Sequence, residues 1–332
     1  MNLAATVALR KPLRPQIPRV WAYGTSEGVT KAWDTRGRGR KFTLPNGRSF
    51  ELKGTNAQQD EQLAWIRKEE LAKLPPEVQQ AFSKGVDSEG IFRKDGKWTE
   101  ERKALHADII NSYLEGHQPQ ANPRLEIIAG GTASGKGGVA KEVQGKMQDY
   151  VYANSDNIRA MLPEIGAFVG NDKQGLLQEE AGHVRDELLD VASKAGMNIV
   201  LDAPGSHTIV NFADTAEKMG YNVAVNYVHR DAESAAVSAT TRKYTADHLS
   251  DVRDVPNWVT YGSHTKARSA IGALSKGREF NVYDNQQGFN KPPVYSRGAD
   301  GKVKVYNEER LGVIAHGQSK QFPEISDSTF SR

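Results

Sequence analysis

The most constraining feature of the sequence is a glycine-rich turn between an apolar run and a helical stretch, Leu125-Glu-Ile-Ile-Ala-Gly130-Gly131-Thr132-Ala133-Ser134-Gly135-Lys136-Gly137-Gly138. The first Gly, the Gly-Lys pair, the strand before and the helix after stand at Walker A spacing. Glycines let successive backbone N–H groups converge on phosphate oxygens with no Cβ in the way, and the N-terminus of the following helix adds partial positive charge. Gly130 through Gly138 are therefore the expected nucleotide-phosphate cradle, with Lys136 on the β- and γ-phosphates. One position departs from the pattern. Where a Ser or Thr hydroxyl would coordinate Mg²⁺, the chain has Gly137, which offers no side-chain ligand. Three readings stay open: Thr132 or Ser134 compensates, a carboxylate elsewhere holds Mg²⁺ through water, or the site binds nucleotide and catalyses poorly.

A loop of this kind needs a parallel sheet to present it. Short apolar runs at Leu125 to Ala129, Tyr150 to Ala153, Asn198 to Leu201, Val223 to Val228 and Phe280 to Tyr283 alternate with helical stretches. That alternation predicts an α/β fold of P-loop NTPase type, a mainly parallel sheet with helices on both faces. Upstream, Phe42 and Leu44 alternate with polar residues to Asn46-Gly47, and Phe50 and Leu52 resume beyond it, which predicts a β-hairpin. Leu63, Ile66, Leu71 and Leu74 recur at helical spacing until Pro75-Pro76, with a second helix from Glu77. Thr99 reads as the N-cap of a helix whose buried face is Leu105, Ile109 and Leu114, with Gly116 as the stop. His117 to Pro123 reads as a linker, and Pro293 to Tyr306 as a terminal hairpin. The expected organisation is a smaller, basic α+β N-terminal module over 1–98, the P-loop domain over 99–310 and a tail over 311–332.

The charge is uneven. Residues 1–56 carry a net +8, so the rest of the chain is net −5 and the whole +3. The run Arg36-Gly37-Arg38-Gly39-Arg40 could track a phosphate backbone or be a solvated loop, and from so short a run the loop reading is favoured over nucleic acid. No apolar run approaches a membrane span and no secretion signal is apparent, so a cytoplasmic protein without membrane contact is expected. With no cysteine, disulfides, thiol catalysis and Cys-ligated zinc are excluded.

Candidate chemistry gathers where strands end. Asp156, in Ser155-Asp156-Asn157-Ile158-Arg159, falls at the carboxyl edge of the sheet, where it could take a hydroxyl proton; alternatively Ser155 or Asp156 only caps the next helix. Asp202 ends an apolar run as a Walker B acid does, facing a water of the Mg²⁺ shell, or it is a turn residue before Pro204-Gly205. Arg242, in a helix beginning near Asp231, and Arg253, in a loop before Pro256, could neutralise phosphate charge or be surface arginines. The eight histidines form no HExxH pattern, Glu180 and His183 read as a solvated helix face, and no transition-metal site is expected.

Over about residues 99 to 310 these elements resemble the zeta toxin family of P-loop kinases. The resemblance rests on GGTASGKG, on SDNIR after a strand, and on a helix with Asp186 followed by Gly196 and NIVLD. It continues through the Arg242 helix, Arg253-Asp-Val-Pro256, His264 and Val282-Tyr-Asp-Asn285. It implies ATP-dependent phosphorylation of a UDP-N-acetyl sugar, usually UDP-N-acetylglucosamine at a sugar hydroxyl, with Mg²⁺ and with an antitoxin as partner. By the resemblance Lys136 grips the phosphates, Asp156 is the catalytic base, and Arg242 and Arg253 stabilise the transition state. Asp186 and Asp202 face the acceptor or metal side. Gly137 and the basic N-terminal residues depart from the family core, and zeta-like domains also occur in phage genomes beside virion components. Two other readings stand beside the kinase: a nucleotide-binding accessory protein with weak catalysis that docks on a virion or other protein, and a polynucleotide kinase.

Overall fold

The computed structural model describes residues 39–286 and 292–316. Arg36 and Arg38 of the arginine run, and the tail beyond 316, lie outside the described residues. The predicted hairpin forms, β1 (Arg40–Thr43) pairing antiparallel with β2 (Ser49–Leu52). α1 (Asn56–Leu71) opens on a capping box in which Thr55 Oγ1 accepts from the Gln58 N–H and Gln58 accepts from the Thr55 N–H. Pro75-Pro76 stops that helix pattern and starts α2 (Pro76–Ser83), proline being tolerated in a first turn whose N–H has no intrahelical partner. α3 (Ser88–Phe92) and the two-residue strands β3 (Arg93–Lys94) and β4 (Lys97–Trp98) lead to Thr99, which caps α4 (Glu100–Leu114) by accepting from Arg102 N. The buried face of α4 differs from the expectation. Leu105 and Leu114 are only half-buried, and with Ile109 the helix buries Arg102, His106, Ile110 and Tyr113, because it packs on a helix that presents a buried carboxylate.

Strands and helices then alternate: β5 (Arg124–Ala129), α5 (Lys136–Lys146), β6 (Val151–Asn154), α6 (Ser155–Arg159), α7 (Gln178–Lys194), β7 (Ile199–Ala203), α8 (His207–Lys218), β8 (Asn222–His229), α9 (Ala232–Arg242), α10 (Asn257–Ser275), β9 (Glu279–Asp284), the hairpin β10 (Tyr295–Arg297) and β11 (Val303–Val305), and α11 (Glu308–His316). The sheet runs β11-β10-β9-β8-β5-β7-β6, with the last five in that order parallel and the terminal hairpin antiparallel at one edge. β5 is central, Leu125 pairing with Ile199 on one side and Val223 on the other. It is buried along nearly its whole length, as a strand covered on both faces must be.

Its side chains alternate between two cores. Ile128, Val200, Val228 and Tyr283 meet Val139, Ala140 and Val143 of α5 on one face. Ile127, Leu201, Val225 and Val282 share a larger core with α7, α8 and α10. Phe42, Leu52, Leu63, Ile66 and Phe82 belong to that second core, and α1 lies on the 3-10 turn Pro163–Phe168. The parallel arrangement brings the carboxyl ends of β5, β7 and β6 to one edge, where the glycine-rich loop leaves the sheet. Among the described residues no helix is long and apolar enough to cross a membrane.

Candidate active site

The loop from Gly130 to Gly135 is held from outside. Thr132 donates its N–H to Ser263 Oγ at 2.8 Å, and its carbonyl lies 3.0 Å from His264 Nε2, both on α10. Asn285 Nδ2 donates to Ser134 O at 2.7 Å, and Arg230 to Ala133 O at 3.3 Å. Gly135 has φ +92°, and a Cβ there would stand 1.8 Å from Asn285 Nδ2, so glycine is required twice over. Ala133 takes φ +57° without that freedom, a strained conformation of the kind that collects at ligand-binding turns. Ser134 is fully buried with its Oγ unpaired, while Thr132 is half-buried. Gly137 and Gly138 open α5; a Cβ on Gly137 would meet nothing within 4 Å. Lys136 reaches back over the loop, its Nζ donating to the carbonyls of Gly130 and Gly131 at 3.0 Å each and standing 3.9 Å from Asp202 Oδ1.

Two carboxylates face this lysine. Asn154, not Ser155 or Asp156, caps α6, its Oδ1 accepting from Asp156 N at 2.7 Å and Asn157 N at 3.3 Å. The capping alternative for Asp156 is thereby overturned, and its carboxylate is free for other partners: Arg253 Nη2 at 2.9 Å and Arg159 Nη1 at 2.9 Å. Burial works against ionising Asp156, but Arg253, Arg159, Arg242 and Lys136 outweigh it and hold the carboxyl well below the usual range. Asp202 lies within β7 and accepts from Tyr152 OH at 3.1 Å. Burial pushes its carboxyl up, against the opposing pull of Lys136 and Tyr152. Burial likewise drives Lys136 down, opposed by Asp202 and Asp156. Arg242, the last residue of α9, pairs with Asp251 at 3.0 Å and lies within electrostatic reach of both Lys136 and Asp156.

Lys136, Asp156, Asp202, Arg242 and Arg253 are thus brought together, and Asp186 is not. It projects from the outer face of α7 with 51% of its side chain exposed and pairs with neighbouring Arg185, because Val184, Leu188 and Leu189 turn the opposite face to the core. Glu180 also departs from expectation. Rather than solvated it is fully buried, bonded to Arg102 and to His106 Nε2 at 2.7 Å, while Arg102 also binds Glu164 at 2.9 Å. Arg159, to which the sequence alone assigns no role, is wholly buried and joins Asp156 to Gln178 and Ser250 O. Its signal was the i,i+3 spacing from Asp156 on one helix face. Arg40 is not a free phosphate contact: its guanidinium binds Gln59 and the carbonyls of Lys243 and Ala246. Lys243, next to Arg242, bridges Asp60 of α1 at 3.0 Å and Asp254, next to Arg253, at 2.8 Å.

A parallel α/β sheet, a Walker A loop at its carboxyl edge, and arginines and aspartates facing that loop define a protein of the P-loop NTPase class. The zeta toxin profile matches residues 110–309, more than half of the chain. The chain belongs to the zeta toxin family, whose members are kinases. Among solved structures, AvrRxo1-ORF1:AvrRxo1-ORF2 with sulphate ions is similar over 69% of this chain and 82% of that one, at 19% identity and a TM-score of 0.52. The same complex with ATP is similar over 69% and 81%, at 19% identity and 0.51. The PezAT toxin-antitoxin system of Streptococcus pneumoniae aligns over 70% and 99%, at 14% identity and 0.49. No curated protein matches the sequence significantly.

Proposed function

We propose that the chain is an ATP-dependent kinase that phosphorylates a sugar hydroxyl of a UDP-N-acetyl sugar, UDP-N-acetylglucosamine first among them. The observation that carries the kinase reading is that Asp156, Arg253 and Arg242 lie within electrostatic reach of Lys136 at the loop mouth; the sugar acceptor rests on the zeta toxin family. Lys136 leaves the Gly130 and Gly131 carbonyls for the β- and γ-phosphates, and Arg242 and Arg253 take the equatorial γ-oxygens, where charge is greatest in the transition state. The acceptor hydroxyl loses its proton to Asp156 as its oxygen bonds the γ-phosphorus and the bond to the β-phosphate oxygen breaks, releasing ADP. A resting Asp156 clasped by two arginines is a weak base. When the γ-phosphate claims Arg253, that carboxylate loses part of its counter-charge and becomes more basic as the donor settles.

The residues fit Mg²⁺ in one way. Gly137 has no hydroxyl to give, so the carboxylate of Asp202 would hold the ion through water. Such an ion would supply neutralisation of phosphate charge. Family membership makes an antitoxin the protein partner to look for, and a reaction on the proposed substrates would run in the cytoplasm. A second reading, nucleotide binding without useful turnover, is favoured by Gly137 alone. The deciding measurement is ³¹P NMR of ATP, Mg²⁺ and UDP-N-acetylglucosamine with the parent chain and with Asp156→Asn. A new phosphomonoester signal from the parent only supports the kinase. Saturable ATP binding with no transfer supports the second reading.

A further inference from the structure

We propose that α4 and α7 carry a transition-metal site, with His106, His183 and Glu187 as protein ligands for a divalent cation of the zinc class. One ring nitrogen from each histidine and a carboxylate oxygen of Glu187 lie within 4.8 Å of one another. His106 is buried and its Nε2 faces Glu180 Oε1 at 2.7 Å, so the carboxylate fixes the Nε2–H tautomer and leaves the Nδ1 lone pair for a metal. Carboxylate, imidazole and metal in series is the arrangement in which outer partners orient metal-binding histidines. Glu180 is itself locked by Arg102, which Glu164 holds in turn, so the imidazole has little freedom.

His183 Nε2 is a buried atom without a hydrogen-bond partner, although Glu187 Oε1 stands 3.2 Å away on the next turn of α7. An orphaned ring nitrogen is costly unless something takes its lone pair or its proton. Bonds of ~2.0–2.1 Å from a tetrahedral zinc place neighbouring ligand atoms about 3.3 Å apart. His183 and Glu187 already hold that separation, and a side-chain shift of up to about 1.5 Å brings in His106. Trp98 packs on both imidazoles, with ring centroids 4.8 Å from His106 and 5.3 Å from His183, and walls the cluster on its apolar side. Two imidazoles and one carboxylate suit zinc, nickel, cobalt or copper better than the hard cations. Solvent has access along the exposed flank of Glu187 for the fourth position. The absence of an HExxH pattern concealed this cluster, because its ligands come from helices far apart in sequence.

The site lies on the helix that braces the reaction centre from behind. Gln178, in the first turn of α7, bonds Arg159 and Ser155 Oγ, and Arg159 holds Asp156. A metal fastening α4 to α7 would stiffen that support.

The test is calorimetric titration of the metal-free full chain with ZnCl₂, beside quenching of tryptophan fluorescence by Cu²⁺, since Trp98 touches both histidines. His183→Ala and Glu187→Gln alter half-exposed side chains and are suited to keep the fold, whereas His106 sits inside the buried ion network. The proposal expects one saturable site per chain, a zinc-dependent rise in Tm, and affinity reduced at least about tenfold in both variants. Absence of saturable zinc binding in the parent, or equal binding by parent, His183→Ala and Glu187→Gln, would overturn it.

Discussion

Replacing Asp156 by Asn is the perturbation that separates the proposed chemistry from mere nucleotide binding. The side chain stays isosteric and Asn154 still caps α6, so the local backbone keeps its hydrogen bonds. Loss of a general base costs about 10²–10⁴ in rate, or roughly 3–5 kcal/mol at about 1.36 kcal/mol per decade. The structure adds a second effect. Arg159 has no exposed surface, and without its ion pair at 2.9 Å it keeps Gln178, Ser250 O and the weaker pull of Asp251, a loss of about 3 kcal/mol in folding stability, the lower end for a broken buried pair. ATP binding should survive and even tighten, because Lys136 and the loop are untouched and Arg253 is released from its carboxylate toward the phosphates. The assay is single-turnover transfer from ATP to UDP-N-acetylglucosamine, with ATP affinity and urea unfolding measured on the same preparation. A folded variant whose transfer rate lies within tenfold of the parent would refute Asp156 as the base. Unchanged stability would refute the tie to Arg159.

Four further outcomes follow from the same geometry. Gly137→Thr places a hydroxyl in open space on the first turn of α5, so half-saturation by Mg²⁺ should fall by about tenfold; an unchanged metal dependence would mean that this position does not face the ion. Asp60→Asn removes one anchor of the buried Lys243, and kcat should drop by up to about fivefold while Tm moves little, because the changed side chain is half-exposed and Lys243 keeps Asp254 at 2.8 Å; rescue by Asp60→Glu would separate positioning of Arg242 and Arg253 from a folding defect. Glu180 is held at about 2 because hydrogen bonds from His106 and Arg102 outweigh its burial, against an ordinary 4.5. Its carboxylate therefore contributes roughly 3 kcal/mol above pH ~4.5, lost as pH falls toward 2. Glu180→Gln should destabilise strongly at pH 7 and little near pH 2.5 by urea unfolding, equal losses at both refuting the linkage. Because Asp156 lies below the carboxylate range in the free protein, kcat/KM should stay flat down to about pH 5, while the acid limb of kcat, which reports the complex with ATP, should lie higher.

The loop, its strand and its helix were legible because Walker A chemistry is local: all its groups lie within one strand, one turn and one helical turn. Asp156 and Asp202 were placed at the sheet edge for a similar reason, since strand ends can be read from apolar runs. What was not legible depends on distant partners. Glu180 looks like a solvated helix residue until Arg102, 78 positions away, supplies its counter-charge. Arg40 looks like a basic tail until Lys243 and Ala246 offer their carbonyls. Asp186 is a different case. Val184, Leu188 and Leu189 set the phase of α7, and that phase turns residue 186 outward; the resemblance suggested an inward role that helical periodicity opposes.

The two site aspartates show why their burial alone does not assign their roles. Asp202 is nearly buried and Asp156, at the same sheet edge, keeps 31% of its side chain exposed, yet Asp156 is held well below its ordinary value and Asp202 is pushed up from it. The difference is counter-charge: Asp156 has two arginines at 2.9 Å, whereas Asp202 has a tyrosine hydroxyl and a lysine at 3.9 Å. A polyphosphate entering this edge competes for those same cations. On the proposed reading it would draw Arg253 and Lys136 toward itself, raising the proton affinity of Asp156 as an acceptor hydroxyl is deprotonated, and would leave Asp202 as the carboxylate most in need of a positive partner. On the same reading a divalent cation would meet that need. The separation of the two carboxyl groups in the free protein is then, on the proposed reading, the electrostatic form of a division of labour, with Asp156 as the proton acceptor and Asp202 on the metal side.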